Sequence, residues 1–297
     1  MKYRFFLVAL VICTTIFSSG CISSDDETIT IGSKLFNEQY IVAHMVAQLL
    51  EDQGIDADVI EGLGGTLVNF EALKKGQIDV YLEYTGTVYN VIYKLDPPQV
   101  WDADYVYGEV EEELLASDGV IIASRTGFRD DYAIAVDRKW AEDNGVETLQ
   151  ELEMYAGAMN IGTDPEFATR QDGLPQVLNV YGYEFGKVSQ MQPTLMYEAI
   201  KNGEVDAISA YTTDARVDMY GLVLLEDDLE AFPPYDAILI INGESAKNEV
   251  LMEVLGMLQN ILDTDSMRAL NYQYDEEKRE ARDIAHDYLI SKGLLEE

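Results

Sequence analysis

Only two cysteines and two histidines occur in 297 residues. Both cysteines, Cys13 and Cys21, lie at the extreme N-terminus, so the remaining body has no disulfide and no thiol chemistry. Its fold must stand on its apolar core. His44 and His286 each fall inside a predicted helix with no partner at metal-ligand spacing, and both read as structural or surface residues. There is no Gly-x-Ser-x-Gly, no P-loop and no Cys/His cluster. Gly62-Leu63-Gly64-Gly65 lacks the third glycine of a dinucleotide fingerprint and reads as a tight turn. No cofactor, no metal and no catalytic residue is expected. Basic residues are scarce, 20 against 55 acidic ones. That balance repels nucleic acid and anionic lipid. It fits either a saline setting in which salt screens the self-repulsion or ordinary surface acidity.

Long apolar runs are equally few. Phe5 to Phe17 is one, preceded by Lys2 and Arg4, and it is too short for a comfortable membrane span. Residues 1–20 therefore read as a signal peptide. Ser18-Ser19-Gly20 before Cys21 resembles a lipoprotein box, which makes Cys21 a lipidation site and 21–27 a polar tether. The body is expected at the extracytoplasmic face of the cell membrane, held by lipid. About 270 residues at 47% hydrophobic composition suffice for one large or two medium domains.

What is present is a repeat. Leu73-Lys74-Lys75-Gly76-Gln77-Ile78-Asp79-Val80-Tyr81-Leu82-Glu83-Tyr84-Thr85 aligns without a gap on Ile200-Lys201-Asn202-Gly203-Glu204-Val205-Asp206-Ala207-Ile208-Ser209-Ala210-Tyr211-Thr212, 127 positions later. Each reads as a helix end, a Gly stop, a buried strand and Tyr-Thr at the strand's carboxyl end. Ile31-Gly32-Ser33 and Ile161-Gly162-Thr163 echo each other at an offset of 130. Two lobes on one plan follow, with ligand expected at the strands' carboxyl ends.

Along the chain, strands are predicted at 28–32, 57–61, 79–83, 120–124, 159–162, 205–210 and 237–241. Helices alternate with them at 37–53, 67–75, 105–117, 139–144, 148–155, 174–181 and 193–202. This rhythm predicts parallel or mixed sheets with helices on their faces. The stretch 128–136 reads as a polar loop running into a strand and as the first crossing between lobes. Phe232-Pro233-Pro234-Tyr235-Asp236 reads as the return. One lobe is then 28–128 plus 233–297, and the other is 129–232, a bilobal hinge arrangement. The tail 247–295 reads as helical with a break near Asp263.

Tyrosine is abundant, 19 residues against two tryptophans. Tyr84, Tyr132, Tyr211 and Tyr235 fall at strand ends or crossings. They are either scattered packing residues or four π-faces of a cage for an organic cation. A methylated ammonium has no N–H to donate, so a cage suits it better than carboxylates do.

The chain resembles the glycine betaine/proline betaine substrate-binding proteins of ABC transporters, of the archaeal ProX type. The resemblance rests on Gly32-Ser33-Lys34 with Phe36-Asn37-Glu38-Gln39-Tyr40, on Glu61 to Asn69, and on Glu83-Tyr84-Thr85-Gly86-Thr87. It continues through Gly127 to Ala133, Asp164 to Ala168, Ala210 to Asp214 and Pro233 to Asp236. It implies an α/β type II periplasmic-binding fold with the ligand between the lobes. It places the cation box on Tyr84, Tyr132, Tyr211 and Tyr235, with the main-chain carbonyl of Asp130, and the carboxylate clamp on Lys34, Thr87 and Arg170. The implied partners are a small zwitterionic quaternary ammonium ligand and a membrane permease with its ATPase subunit, the binding protein acting as a monomer. Choline, carnitine or ectoine are alternative ligands. A secreted hydrolase using two carboxylates, such as Asp130-Asp131, is a distant alternative.

Overall fold

The computed structural model describes residues 28–98 and 100–296. The predicted signal peptide, the tether and Cys21 lie outside the described residues. Among the described residues, ten strands form two five-stranded sheets. The strands are β1 (Ile29–Gly32), β2 (Ala57–Ile60), β3 (Val80–Tyr84), β4 (Val120–Arg129), β5 (Tyr132–Asp137), β6 (Asn160–Thr163), β7 (Lys187–Gln190), β8 (Ala207–Tyr211), β9 (Leu222–Leu224) and β10 (Asp236–Asn242). The first sheet runs β2-β1-β3-β10-β4 and the second β7-β6-β8-β5-β9. Matched position by position, β1 corresponds to β6 and β3 to β8, which is the repeat read in the sequence. With helices flanking them, the sheets make an α/β bilobal fold.

Both sheets are mixed. β1 pairs in parallel with β2 and β3, but β10 runs antiparallel to β3 and β4. β5 likewise runs antiparallel to β8 and β9. The chain enters each central antiparallel strand directly from a crossing, with no helix between, so it must return in the opposite sense. The short edge strands β7 and β9 have no prediction above. Their few residues carry too little alternation to read.

The helix Asn37–Asp52 shows what decides the elements. Phe36, not Asn37, occupies its N-cap, and no side chain caps it. Its apolar stripe Ile41, Met45, Val46, Leu49 and Leu50 is at most 2% exposed. Burying each such side chain contributes roughly 1.5–3 kcal/mol, against about 1 kcal/mol for a cap. The stripe packs on the C-terminal helices Thr264–Asp275 and Ala281–Ser291. Between those two, Glu276 to Glu280 forms a second break in the tail that the sequence reading passes over.

The first crossing is shorter than predicted. β4 continues to Arg129 and β5 begins at Tyr132, leaving only Asp130 and Asp131 between them. The two crossings are bonded to each other. The Asp130 amide donates to the Tyr235 carbonyl (3.1 Å), and the Tyr235 amide donates to Asp131 Oδ1 (2.9 Å).

Candidate ligand-binding site between the lobes

All eight sequence-predicted site residues line one cavity of about 340 Å³: Lys34, Tyr84, Thr87, Asp130, Tyr132, Arg170, Tyr211 and Tyr235. Strand register explains much of this. β5 and β8 place Tyr132 directly opposite Tyr211 at the strands' ends. In the first lobe β10 places Ala237 opposite Tyr84, so Tyr235 stands just past the end of that pair. Each lobe thus contributes two tyrosines from one antiparallel pair. The Tyr132 ring lies 5.2 Å from Tyr211 and 5.3 Å from Tyr235, edge-on to the latter at 85°. Tyr84 stands apart from this trio, stacked on Phe36 at 6.3 Å and 20°.

The segment Tyr84-Thr85-Gly86-Thr87 divides the work residue by residue. Tyr84 and Thr87 face the cavity. Gly86 lets the second crossing approach, since a Cβ there would stand 2.8 Å from both the Pro234 carbonyl and the Tyr235 ring. The Thr85 hydroxyl holds that crossing, donating to the Pro234 carbonyl (3.0 Å) and accepting from the Asp236 amide (3.0 Å).

Lys34 and Arg170 do not occupy equivalent positions. Lys34 follows β1 by two residues, whereas the helix Pro165–Thr169 separates Arg170 from β6. The residue standing where Lys34 stands is Asp164, which caps that helix by accepting from the Glu166 and Phe167 amides. Both cations are already partnered. Lys34 Nζ donates to Glu83, and burial pushes the Lys34 ammonium down from its ordinary range while Glu83 pulls it back. Arg170 turns its Nε and Nη2 to Asp172 (2.9 and 2.6 Å), so its side-on fork is occupied. What remains for a ligand is the end-on face at Nη1, already 3.4 Å from Glu166 Oε2. Tyr235 is tied to the same carboxylate, its hydroxyl donating to Asp172 Oδ2 at 2.8 Å. A buried guanidinium needs such a partner, which also aims it.

Several contributors escape a sequence reading. Glu83, Asp172, Asp164 and Glu38 are buried carboxylates holding site residues from behind. Tyr84 donates its hydroxyl to Glu38, and Tyr211 donates to Asp164 Oδ2 at 3.2 Å. Among so many acidic residues nothing distinguishes these four by composition. Phe36, Glu38, Glu83 and Asp164 carried one signal, their places in the runs on which the resemblance rests, and Asp172 lies outside those runs. A larger groove of about 900 Å³ lies along the crossings and the second lobe, but of the predicted residues only Tyr132 and the neighbouring Asp131 reach it.

Chemically the cavity offers aromatic faces and one main-chain crossing at one end, and donors aimed by carboxylates at the other. His44 and His286 sit away from it, paired with Glu61 and Gln48 respectively. No helix among the described residues is long and apolar enough to cross a membrane.

Comparison with known proteins agrees with this architecture. Residues 27–291 match the family described as the substrate binding domain of ABC-type glycine betaine transport system. A glycine-betaine-binding protein of Pseudomonas aeruginosa is 33% identical, covering 96% of this chain and 94% of the relative. A carnitine transport binding protein of Listeria monocytogenes is 28% identical, covering 100% of this chain and 99% of the relative. A solved structure described as a glycine betaine/carnitine/choline ABC transporter superposes with a TM-score of 0.79 at 26% identity, over 90% of this chain and 99% of that one. Such proteins bind solutes for transport and are not enzymes. The chain belongs to the family of substrate-binding domains of ABC-type glycine betaine transport systems.

Proposed function

We propose that this chain captures glycine betaine or proline betaine between its lobes and hands it to an ABC permease powered by its ATPase. The work takes place at the extracytoplasmic face of the membrane, to which Cys21 tethers a monomeric body once residues 1–20 are removed. The lobes are 28–128 with 233–297, and 129–232. The observation that carries this reading is convergence. Six separate segments bring four tyrosines, the Asp130 crossing, Lys34, Thr87 and Arg170 to one 340 Å³ cavity.

The physics suits a zwitterion. Each aromatic face contributes roughly 0.5–2 kcal/mol toward a quaternary ammonium, most when water is excluded. The Asp130 carbonyl adds a partial negative charge at that end. Lys34, Thr87 and the free edge of Arg170 receive the carboxylate. Lobe closure excludes water and strengthens both ends.

One observation favours choline as a second reading. Lys34 and Arg170 are already neutralised by Glu83 and Asp172, which weakens the pull on a ligand carboxylate. Isothermal titration of the body from Ser23, unfolded and refolded to strip carried-over ligand, separates the two. Betaines binding at micromolar or tighter affinity with choline much weaker is the expected result. The reverse order establishes choline, and no binding of any quaternary amine by the folded protein sinks the transport reading.

A further inference from the structure

Most carboxylates around the cleft are matched. Glu83 holds Lys34, Asp172 holds Arg170, Asp214 holds Arg216 and Asp131 holds Arg129. Asp164 is satisfied by the helix N-terminus it caps. Glu38 and Asp130 stand together without such a match. Among the described residues no Lys, Arg or His forms an ion pair with either. Glu38 is 1% exposed. Buried charge is normally paired, because desolvating a lone carboxylate costs several kcal/mol or more.

The two carboxylates line the wall of a second cavity of about 220 Å³, which shares Leu35, Phe36, Asp130 and Tyr211 with the first. Their other neighbours are mostly hydroxyls and an amide. Tyr84 donates its hydroxyl to Glu38, Asn271 Nδ2 donates to Glu38 Oε2 (3.1 Å), and Thr213 Oγ1 donates to Asp130 Oδ1 (2.7 Å). Asn271 Oδ1 has no partner of its own among the described residues. The charged groups packed around the pair do not neutralise it. On the C-terminal helix Asp275 is a further carboxylate, bonded to Asn37. On the second lobe Arg216 is committed to Asp214, and in the crossing Arg129 is committed to Asp131. Lys34, just past β1, is committed to Glu83 on β3. The N-terminus of the helix carrying Glu38 offers only a partial positive charge.

Two adjacent carboxylates that lack a cation share a proton. Burial first, and then the charge of Glu38, holds the Asp130 carboxyl well above its ordinary range, and burial pushes Glu38 up as well. The missing cation has a place to arrive. Asp130 lines the ligand cavity itself, and Glu38 is one hydrogen bond behind the Tyr84 ring that forms its wall.

We infer that Glu38, acting with Asp130, supplies the counter-charge for the cationic head of the ligand, and that the pair gives up its shared proton to solvent when that head docks. Glu38 is a positioning and charge-setting residue, since it acts through the Tyr84 hydroxyl and Asp130. The step balances: the protonated pair and the cation become the ionised pair with its cation, plus one proton released to buffer. The pair's net charge goes from minus one to minus two as the ammonium docks, and the phenol bonded to a carboxylate presents a more electron-rich face.

The inference rests on the proposed quaternary ammonium ligand, and its test separates the two ideas. Glycine betaine and choline are titrated into the wild-type body in phosphate and in a buffer of large ionisation enthalpy, at about pH 6, between ordinary carboxylate values and neutrality. The apparent enthalpies are expected to differ by the release of a large fraction of one proton, for both ligands. Affinity is expected to fall as pH is lowered, approaching about tenfold per pH unit below the pair's titration. Glu38→Gln and Asp130→Asn, checked for folding by circular dichroism, are expected to abolish that release and weaken both ligands about tenfold. Equal enthalpies in the two buffers with pH-independent affinity overturn the inference while leaving the proposed function intact. So does a Glu38→Gln protein that still releases the proton. If the wild-type protein binds neither ligand, both ideas fall.

Discussion

Thr85 and Thr212 perform the same task on the two crossings between the lobes. Thr85 Oγ1 donates to the carbonyl of Pro234 (3.0 Å) and accepts from the amide of Asp236 (3.0 Å). Thr212 Oγ1 donates to the carbonyl of Arg129 (3.1 Å) and accepts from the amide of Asp131 (2.9 Å). Each hydroxyl therefore bridges residues two apart in a crossing segment, and each follows the tyrosine that ends its strand. The strand that delivers an aromatic face to the site also clamps the backbone about which the lobes meet. Binding groups and hinge are thereby held in one register. This gives a physical reason for the Tyr-Thr echo at an offset of 127.

Replacing these hydroxyls should loosen the crossings unequally. Thr85 is fully buried, so Thr85→Val leaves the Pro234 carbonyl and the Asp236 amide without a partner. The expected loss is about 1–3 kcal/mol in urea unfolding. Thr212 is only partly buried, and water can replace its bonds. Thr212→Val should cost less, about 1 kcal/mol or below. Equal losses would show that the hydroxyl bridges are not what sets the difference.

Tyr132 tests whether the site uses aromatic faces or hydroxyls. Its ring meets Tyr211, Tyr235, Phe167 and Phe232, and burial raises its phenol above the ordinary range. Tyr132→Phe should bind glycine betaine within about twofold of wild type, while Tyr132→Ala should lose roughly 1–2 kcal/mol of affinity, read by titration calorimetry. Loss on going to Phe would move the weight to the hydroxyl.

Arg170→Ala should weaken glycine betaine and spare choline, which has no carboxylate. The free edge of one partly engaged guanidinium corresponds to about 1.5–3 kcal/mol for a charged hydrogen bond. The same substitution leaves Asp172 without its cation, so Asp172→Asn with Arg170→Ala is the control for that added charge. Equal weakening of both ligands by the double variant would remove Arg170 from the clamp.

Stability of the ligand-free protein should fall as pH rises from the ordinary carboxylate range toward neutrality. Glu38 and Asp130 have folded values raised above the unfolded ones, chiefly by burial. The folded state then holds more protons, so the contribution is complete below about pH 4 and is lost as pH climbs through the raised values. Glu38→Gln should flatten the profile of melting temperature against pH. An unchanged slope would show that the general excess of carboxylates produces it.

Salt provides the complementary measurement. With 55 acidic and 20 basic residues, surface repulsion dominates at low ionic strength. The melting temperature should rise between low and molar salt. Glu38 is buried away from bulk ions and should contribute little to that rise, so Glu38→Gln and wild type should gain equally.

Legibility in the sequence followed the range of the interactions involved. The repeated helix-Gly-strand unit is local, and periodicity finds β3 and β8 within a residue or two. Tyr84, Tyr132, Tyr211 and Tyr235 are visible because strand ends and crossings leave turn signals beside them. Their convergence on a cavity with Lys34, Thr87 and Arg170 could be expected only through resemblance. The antiparallel return of β10 was hidden, because alternation reports which face is buried and says nothing of strand direction.

What the sequence by itself determined is the order of the elements, the doubling of one plan and the dominance of acidic charge. Tertiary structure alone decided which carboxylate serves which partner. Asp172 lies two residues from Arg170 and takes its fork, whereas Glu38 meets Asn271 across 233 positions and stands beside Asp130 with no cation of its own. A carboxylate's role is set by desolvation and by the few atoms within hydrogen-bond reach. In a chain with this many acidic residues, only the folded contacts single out the pair that waits for a cation.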